Sequence, residues 1–145
     1  MTVENGEVKV FRYWDVHYDV DWNHTPLWFG NEHAPEEENA TYGTARVLLG
    51  LHATLSDGQS RARACRRLAV RWLLEAQNAD GGWGGSRAVS SSVEETGVVL
   101  AALGRSVADG DESAIAKTVA RGAGWLVAAI ADGREAVATP LGLYF

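Results

Sequence analysis

The residues of this chain that are best suited to chemistry lie in one short stretch, WDVHYDVDWNH, at residues 14–24. Acidic residues and histidines alternate there with aromatic and aliphatic residues, so in an extended segment the polar side chains fall on one side. That side holds Asp15, His17, Asp19 and Asp21, and His24 follows shortly after them. Carboxylates and imidazoles are the ligand types that bind zinc. A solvated polar face over a buried aromatic face is the commoner arrangement, so we predict no metal site here.

Two further acidic residues, Glu94 and Glu95, follow Ser91 and Ser92 at the spacing of a helix capping box. In such a box the serine hydroxyl accepts a hydrogen bond from a backbone N–H of the first turn, and the glutamate side chain bonds back. The pattern therefore predicts a helix start. His52 falls on the apolar face of a helical stretch, and we interpret it as a core histidine whose hydrogen bonds are made within the protein.

Charge and composition exclude several classes of partner. The net charge of −6 over 145 residues leaves no basic surplus to neutralise phosphates, so nucleic acid is not an expected partner. The single cysteine, Cys65, cannot form a disulfide within the chain, and we expect a reducing, cytoplasmic compartment. Because no apolar run reaches the ~20 residues that span a bilayer, we predict that the chain does not cross a membrane.

Hydrophobic periodicity divides the chain into two parts. Residues 1–39 are predicted to form an irregular, partly extended, aromatic-rich segment, and residues 40–145 to be helical. The stretch ESAIAKTVARGAGWLVAAI is amphipathic, and its predicted inward face holds Ile115, Val119, Ala123, Leu126 and Ile130. Stretches that are apolar nearly all round alternate with amphipathic ones, which predicts inner helices alternating with outer helices. The predicted fold class is all-α.

The helical region contains an internal repeat. TARVLLGL at residues 44–51 is similar to TGVVLAAL at residues 96–103, and LAVRWLLEAQ at residues 68–77 is similar to RGAGWLVAAI at residues 121–130. The repeating unit is therefore a helical hairpin of roughly fifty residues. A hairpin cannot bury both faces of its inner helix alone, so we expect exposed apolar area on the inner helices and either self-association or a missing partner segment.

One stretch of the repeat, AVRWLLEAQNADGGW at residues 69–83, carries a more specific pattern. It resembles the QW repeat of squalene–hopene and oxidosqualene cyclases. The matching residues are Ala69, Trp72, Leu73, Gln77, Gly81 and Trp83, while Leu68 stands where that repeat has a basic residue. The second copy keeps Arg121, Gly122, Trp125 and Leu126, but Ile130 and Glu135 replace the glutamine and the tryptophan. Two flanking stretches, PLWFGN…YGTARVL and the terminal PLGLYF, resemble the C-terminal region of bacterial hopene-cyclase-like proteins.

The resemblance implies a partial (α/α) toroid of about two helical hairpins. QW repeats tie the outer helices of that toroid together, so we expect structural roles for Trp72, Gln77, Gly81, Trp83 and Trp125. We expect the Gln77 amide to bond the unsatisfied N–H groups at the start of a neighbouring helix. The glycine turn then allows Trp83 to return over that amide.

The resemblance also implies a polyprene cyclase, an isomerase that protonates an alkene of a long apolar isoprenoid and surrounds the resulting cation with aromatic faces. The D-x-D-D acid motif of the family is absent, and its nearest approach is DVDW at residues 19–22. We therefore expect no catalytic residue in this chain, an acid outside it, and no activity of the chain alone. The expected wall and rim of the substrate cavity are Trp28, Phe29, Tyr42, Glu94, Glu95 and Phe145.

No cofactor and no metal are expected from the resemblance. Because such a substrate comes from a bilayer, peripheral contact with the inner face of a bacterial membrane is expected. Two alternatives remain open. The first is a non-catalytic QW-repeat scaffold that binds a lipid or protein partner, which the loss of the second glutamine and tryptophan favours. The second is a metal-binding module built on residues 15–24.

Overall fold

The computed structural model describes residues 2–4, 7–9, 29–31, 39–54, 60–136 and 141–143. Four helices carry the fold, namely α1 (Ala40–Thr54), α2 (Ser60–Glu75), α3 (Val93–Gly104) and α4 (Glu112–Ala131). Short 3-10 turns follow α3 at Val107–Asp109 and α4 at Arg134–Ala136. The predicted all-α class is confirmed, and the predicted hairpins correspond to α1 with α2 and α3 with α4.

Two ladders of three-residue strands accompany the helices. The strand β1 (Thr2–Glu4) pairs antiparallel with β2 (Glu7–Lys9), and β3 (Phe29–Asn31) pairs antiparallel with β4 (Leu141–Leu143). The second ladder joins the two stretches that flank the helices. The sequence pattern did not predict this pairing, because three-residue strands carry too little periodicity to be recognised.

Polar residues start three of the helices. Asn39 Oδ1 accepts a hydrogen bond from a backbone N–H in the first turn of α1 at 2.9 Å. Ser92 Oγ does the same for α3 at 3.2 Å, and the carboxylate of Asp111 accepts two N–H groups of α4. These side chains satisfy donors that a helix start otherwise leaves without partners.

The starts of α1 and α3 lie side by side at one end of the molecule. Thr41 N–H donates to Gly85 O at 3.0 Å, and Ser92 N–H donates to Trp83 O at 2.9 Å. Both helices therefore begin at the loop of residues 76–92, into which α2 runs, so α2 is antiparallel to them. The helices α1 and α3 pack on each other, α2 packs on α1, and α4 packs on α3.

One apolar cluster forms the core between these helices. Its buried members are Ala45, Leu48, Ala69, Val70, Leu73, Ala76, Trp83, Val99, Ala102, Leu103 and Ile115. Every helix contributes to this cluster, so the two hairpins share one core. Burial of each leucine contributes about 1.5–3 kcal/mol relative to its exposed state.

The buried face of α4 differs from the predicted one. Ile115 is buried as predicted, but Ala123 and Ile130 are exposed, so the prediction is wrong for these two residues. The residues of α4 that are buried are Ile115, Gly122 and Ala129, which form a narrow stripe at seven-residue spacing. Apolar patterning missed Gly122 because glycine is buried there for its small size, beneath the ring of Trp83.

Exposed apolar area also lies elsewhere than expected. The exposed large apolar side chains among the described residues are Val107, Val127 and Ile130, and none of them is on α1 or α3. We expected exposed apolar area on the inner helices α1 and α3, and for large apolar side chains this expectation is wrong. These two helices pack on each other, and an outer helix packs against each of them. By length and composition alone, α4 could cross a bilayer, and most of this helix is not buried.

Candidate functional site

The side chain of Gln77, just after α2, joins the two hairpins. Its Nε2 donates to Gly81 O at 2.8 Å and to Thr118 O of α4 at 2.9 Å, and its Oε1 accepts from Arg121 Nη1 at 3.0 Å. The expectation that this amide bonds N–H groups at a helix start is wrong. It bonds a carbonyl and a guanidinium in the middle of α4, because α4 lies across the end of α2.

Arg121 completes this contact from the side of α4. Its Nη2 donates to the carbonyl oxygens of Asn78 and Ala79 at 3.3 Å and 3.0 Å. These carbonyls follow the C-terminus of α2, where a cation is favoured by the helix dipole and by acceptors without partners. The basic residue of the second repeat copy therefore binds the glutamine and turn of the first copy.

Trp83 fills the space between α2, α3 and α4. It is fully buried, and its Nε1 donates to Leu73 O at 2.8 Å. Its backbone N–H donates to Thr96 Oγ1 at 3.0 Å. A Cβ atom at Gly122 would lie 2.5 Å from Cζ3 of this ring, so α4 approaches the indole only because residue 122 is glycine.

The outer side of the same loop is closed by Trp125. Its Nε1 donates to Asp80 Oδ2 at 3.0 Å, while Asp80 Oδ1 accepts from Gly82 N–H and from Ser91 Oγ. A Cβ at Gly82 would lie 2.8 Å from the Trp125 ring. Trp72 is half-buried on α2, with the Arg87 guanidinium 5.9 Å from its ring centroid.

We call the contact of residues 77–83 with Thr118, Arg121, Gly122 and Trp125 the QW junction. Its polar groups bond to one another and its aromatic rings lie against glycines, which leaves little for a substrate to bind. The junction fixes the position of the second hairpin relative to the first.

Three residues predicted to line the cavity, Tyr42 at its wall and Glu94 and Glu95 at its rim, lie in the first turns of α1 and α3. Asn39 Nδ2 donates to Glu95 Oε1 at 2.9 Å, and Asn39 Oδ1 accepts from Tyr42 N–H. Asn39 and Glu95 are buried, whereas Tyr42 and Glu94 are half-buried.

The capping box is only half formed at this rim. Ser92 Oγ accepts from Glu95 N–H as predicted, but the Glu95 carboxylate bonds Asn39, and Ser92 N–H bonds Trp83 O. Sequence reasoning missed Asn39, whose only signal was its position before a helical stretch. Trp28 and Phe145 lie outside the described residues, and of Phe29 the structure describes the backbone within β3.

A second buried polar cluster, at the opposite end of the inner helices, was not predicted. Arg66 Nε donates to both carboxylate oxygens of Asp109 at 3.0 Å and 2.9 Å. His52 Nε2 lies 2.9 Å from Ser106 Oγ and 3.3 Å from Asp109 Oδ2. The signal available was the interpretation of His52 as a core histidine, and its partners fit that interpretation.

Serine, histidine and aspartate meet in this cluster without forming a catalytic triad. Ser106 Oγ donates its hydrogen to Ala102 O at 2.7 Å, so toward His52 it acts as acceptor and the imidazole Nε2 carries the proton. In a triad the serine donates to the histidine, and the aspartate holds the other ring nitrogen. The cluster therefore joins the ends of α1 and α3 to α2 and activates no nucleophile.

The acidic run Asp109, Asp111 and Glu112 is also accounted for structurally. Asp109 pairs with Arg66, Asp111 caps α4, and Glu112 is exposed. An open groove of about 450 Å³ lies between α2 and the turn of residues 108–111, with Arg67 among its lining residues. Within the described ranges no three His, Cys, Asp or Glu residues are grouped for a metal ion, and residues 15–24 lie outside those ranges.

Part of the chain matches the model of a known protein family. Residues 21–91 match the family model of the squalene-hopene cyclase C-terminal domain. That span includes α1, α2 and the glutamine, glycine and tryptophan of the QW junction. No solved structure matches the chain.

Three similar proteins illustrate the relationship. Enfumafungin synthase of Hormonema carpetanum is 44% identical over 70 residues, which are 48% of this chain and 5% of that protein. The uncharacterized protein blr2149 of Bradyrhizobium diazoefficiens is 44% identical over 92 residues, covering 60% of this chain and 16% of that protein. A terpene cyclase-glycosyl transferase fusion protein of Humicola fuscoatra is 54% identical over 46 residues, covering 32% of this chain and 3% of that protein. The chain thus matches only a small part of each relative.

Proposed function

Residues 21–91 belong to the C-terminal portion of the squalene and terpene cyclase family, and from this we propose that the chain is part of a protonation-initiated polyprene cyclase. The reaction is an isomerisation, in which an acid protonates an alkene of a squalene-like substrate and the cation closes rings before losing a proton. The acid lies outside this chain, and the chain alone is inactive. Its part is to supply a rigid section of the wall around the substrate.

The observation that carries this proposal is the QW junction together with the polar rim that it positions. The junction fixes α3 and α4 against α2, and the loop that it contains also receives the starts of α1 and α3. Tyr42 and Glu94 lie in the first turns of these two helices and have partly exposed side chains. A held aromatic ring attracts a carbocation through its π face without acting as a base, and a packed wall keeps water from quenching the cation.

The proposal is tested by binding and turnover with the purified chain. Squalene and a tertiary-amine analogue, whose ammonium group imitates the carbocation, are the two probes, and lipid extracts are analysed by mass spectrometry. We expect both to bind and neither to be converted. Tyr42→Leu should weaken amine binding about 2- to 30-fold through loss of a cation–π contact, whereas Arg71→Ala on the exposed face of α2 should not.

Two results would contradict different parts of the proposal. Cyclic product from the chain alone would show that the acid is inside it, and the acidic residues of the 14–24 stretch would then be substituted. Absence of any binding by a folded chain would favour the scaffold alternative. The observation behind that alternative is that the residues replacing the second glutamine and tryptophan are exposed, Ile130 in the last turn of α4 and Glu135 in the 3-10 turn that follows it.

We further propose that the rest of the toroid, or a second copy of the chain, covers the outer edge of α4, and that the protein works at the cytoplasmic face of a membrane. Val127 is 69% exposed and Ile130 is 49% exposed on that edge. Sedimentation of the isolated chain should show association that a Val127→Ser, Ile130→Ser variant reduces. An isolated chain that stays monomeric at all concentrations would exclude the second copy.

A further inference from the structure

Within the described ranges, a buried hydroxyl group without a partner lies in the first turn of α1, two residues after Asn39. Thr41 is fully buried, and its Oγ1 has no hydrogen-bond partner in the part of the chain that the structure describes. A buried hydroxyl that makes no hydrogen bond is costly, which makes such groups rare in native proteins. A group that binds this hydroxyl would remove that cost.

The helix itself cannot satisfy this hydroxyl. A threonine inside a helix often bonds the carbonyl four residues earlier, but Thr41 is the second residue of α1, so that carbonyl is not part of the helix. The backbone N–H of Thr41 is already bonded to Gly85 O. The backbone N–H of Thr41 therefore has a partner, whereas its side-chain hydroxyl has none among the described residues.

The position of Thr41 on α1 places its side chain in the seam with α3. Thr41, Ala45, Leu48 and His52 follow one another at helical spacing, and His52 reaches Ser106 just beyond the end of α3. At the start of the same seam, Asn39 reaches Glu95. From this spacing we infer that the Thr41 hydroxyl faces α3, in the turn of α1 that follows Asn39.

We propose that this seam holds one neutral oxygen-bearing group, a hydroxyl, bonded to Thr41 Oγ1. An anion is disfavoured because the Glu95 carboxyl group is already buried there. An apolar group would leave the hydroxyl without a partner. A hydroxyl both donates and accepts, so it suits a site made of a threonine, an amide and a carboxyl group. Its source is either a resident water or the alcohol end of an oxygenated polyprene, and only the second source depends on the proposed function.

The test compares Thr41→Val, which keeps the shape and removes the hydroxyl, with Thr41→Ser, which keeps the hydroxyl. Thr96→Val is the matched control, because Thr96 Oγ1 makes its bonds to the Trp83 backbone and must destabilise the chain when removed. Two quantities are measured. One is the thermal unfolding midpoint, and the other is the ratio of affinities for a twenty-carbon polyprenyl alcohol and the hydrocarbon of equal length.

If the bound group is the alcohol end of a polyprene, the wild-type chain should bind the polyprenyl alcohol about threefold to tenfold more tightly than the hydrocarbon. Thr41→Val should lose that preference and Thr41→Ser should keep it. If the bound group is a resident water, the wild-type chain should bind the alcohol and the hydrocarbon equally. The thermal unfolding midpoint should then be about 2–4 °C lower in Thr41→Val and unchanged in Thr41→Ser. The proposal is overturned if Thr41→Val neither lowers the midpoint nor changes the preference while Thr96→Val destabilises. If no polyprene binds at all, the cyclase proposal fails, while the midpoints still decide between a water and an empty site.

Discussion

The close contact between Gly122 and Trp83 can be tested by Gly122→Ala, which adds one methyl group at the QW junction. In Gly122→Ala the new Cβ would lie 2.5 Å from Cζ3 of the indole and 3.0 Å from Cδ2 of Leu100. Carbon atoms pack favourably at about 3.5–4.0 Å, so the ring or the helix must shift. Overpacking of this kind costs about 1–3 kcal/mol.

Gly122→Ala also has a favourable effect on the free energy of unfolding, because alanine is the better helix former. A second glycine of α4, Gly124, allows this effect to be measured by itself. Replacing glycine by alanine inside a helix stabilises it by about 0.8–1 kcal/mol. At Gly124 a Cβ would meet nothing within 4 Å, so Gly124→Ala should show this gain alone. Because both residues lie within α4, the propensity component cancels in the difference between the variants. That difference, about 1–3 kcal/mol, measures the overpacking.

Urea and thermal unfolding followed by circular dichroism measure both variants. Gly124→Ala should raise the unfolding midpoint and Gly122→Ala should lower it or leave it unchanged, with a gap of roughly 2–12 °C between them. In a Trp83→Leu background the gap should shrink, because the clashing ring atoms are gone. Equal stabilisation by the two alanines would refute the close approach of α4 to the indole.

Three further substitutions test other contacts by the same unfolding measurements. Gln77→Leu should destabilise by about 1–3 kcal/mol, because it removes the three hydrogen bonds that the amide makes with Gly81, Thr118 and Arg121; no change would mean that the amide does not join the hairpins. Asp109→Asn should cost about 3–5 kcal/mol, since it leaves the buried charge of Arg66 uncompensated, and a loss below 1 kcal/mol, typical of exposed pairs, would contradict that burial. Ala88 has φ of 63°, so Ala88→Gly should stabilise by about 1 kcal/mol, and destabilisation would count against that backbone conformation.

The fold class followed from the sequence because helical periodicity is a local property. The apolar residues of α2 and the repeat of its pattern in α4 were enough to predict two hairpins with inner and outer helices. The helix start at Ser92 followed in the same way, since a serine three residues before a glutamate bonds a backbone N–H within one turn.

The candidate site followed only in part. Tyr42 was predicted as a wall residue and Glu94 and Glu95 as rim residues, and all three lie in the first turns of α1 and α3. Asn39, which bonds the Tyr42 N–H and the Glu95 carboxylate, was not recognised. The Arg66–Asp109 pair was also missed, because exposed and buried arginines look alike in a stretch rich in arginine. Such pairs are formed by side chains distant in the chain, and one sequence carries no signal for them.

The sequence by itself thus determined which segments are helical, where the hairpins repeat and which turn carries Gln77 and Trp83. Only the tertiary structure decided what these residues contact. The Gln77 amide bonds the middle of α4, and Gly122 rather than Ala123 faces inward. The physical reason is range. Periodicity, caps and turns depend on neighbours within a few residues, whereas the partner of an amide or an indole depends on how whole helices pack across the core.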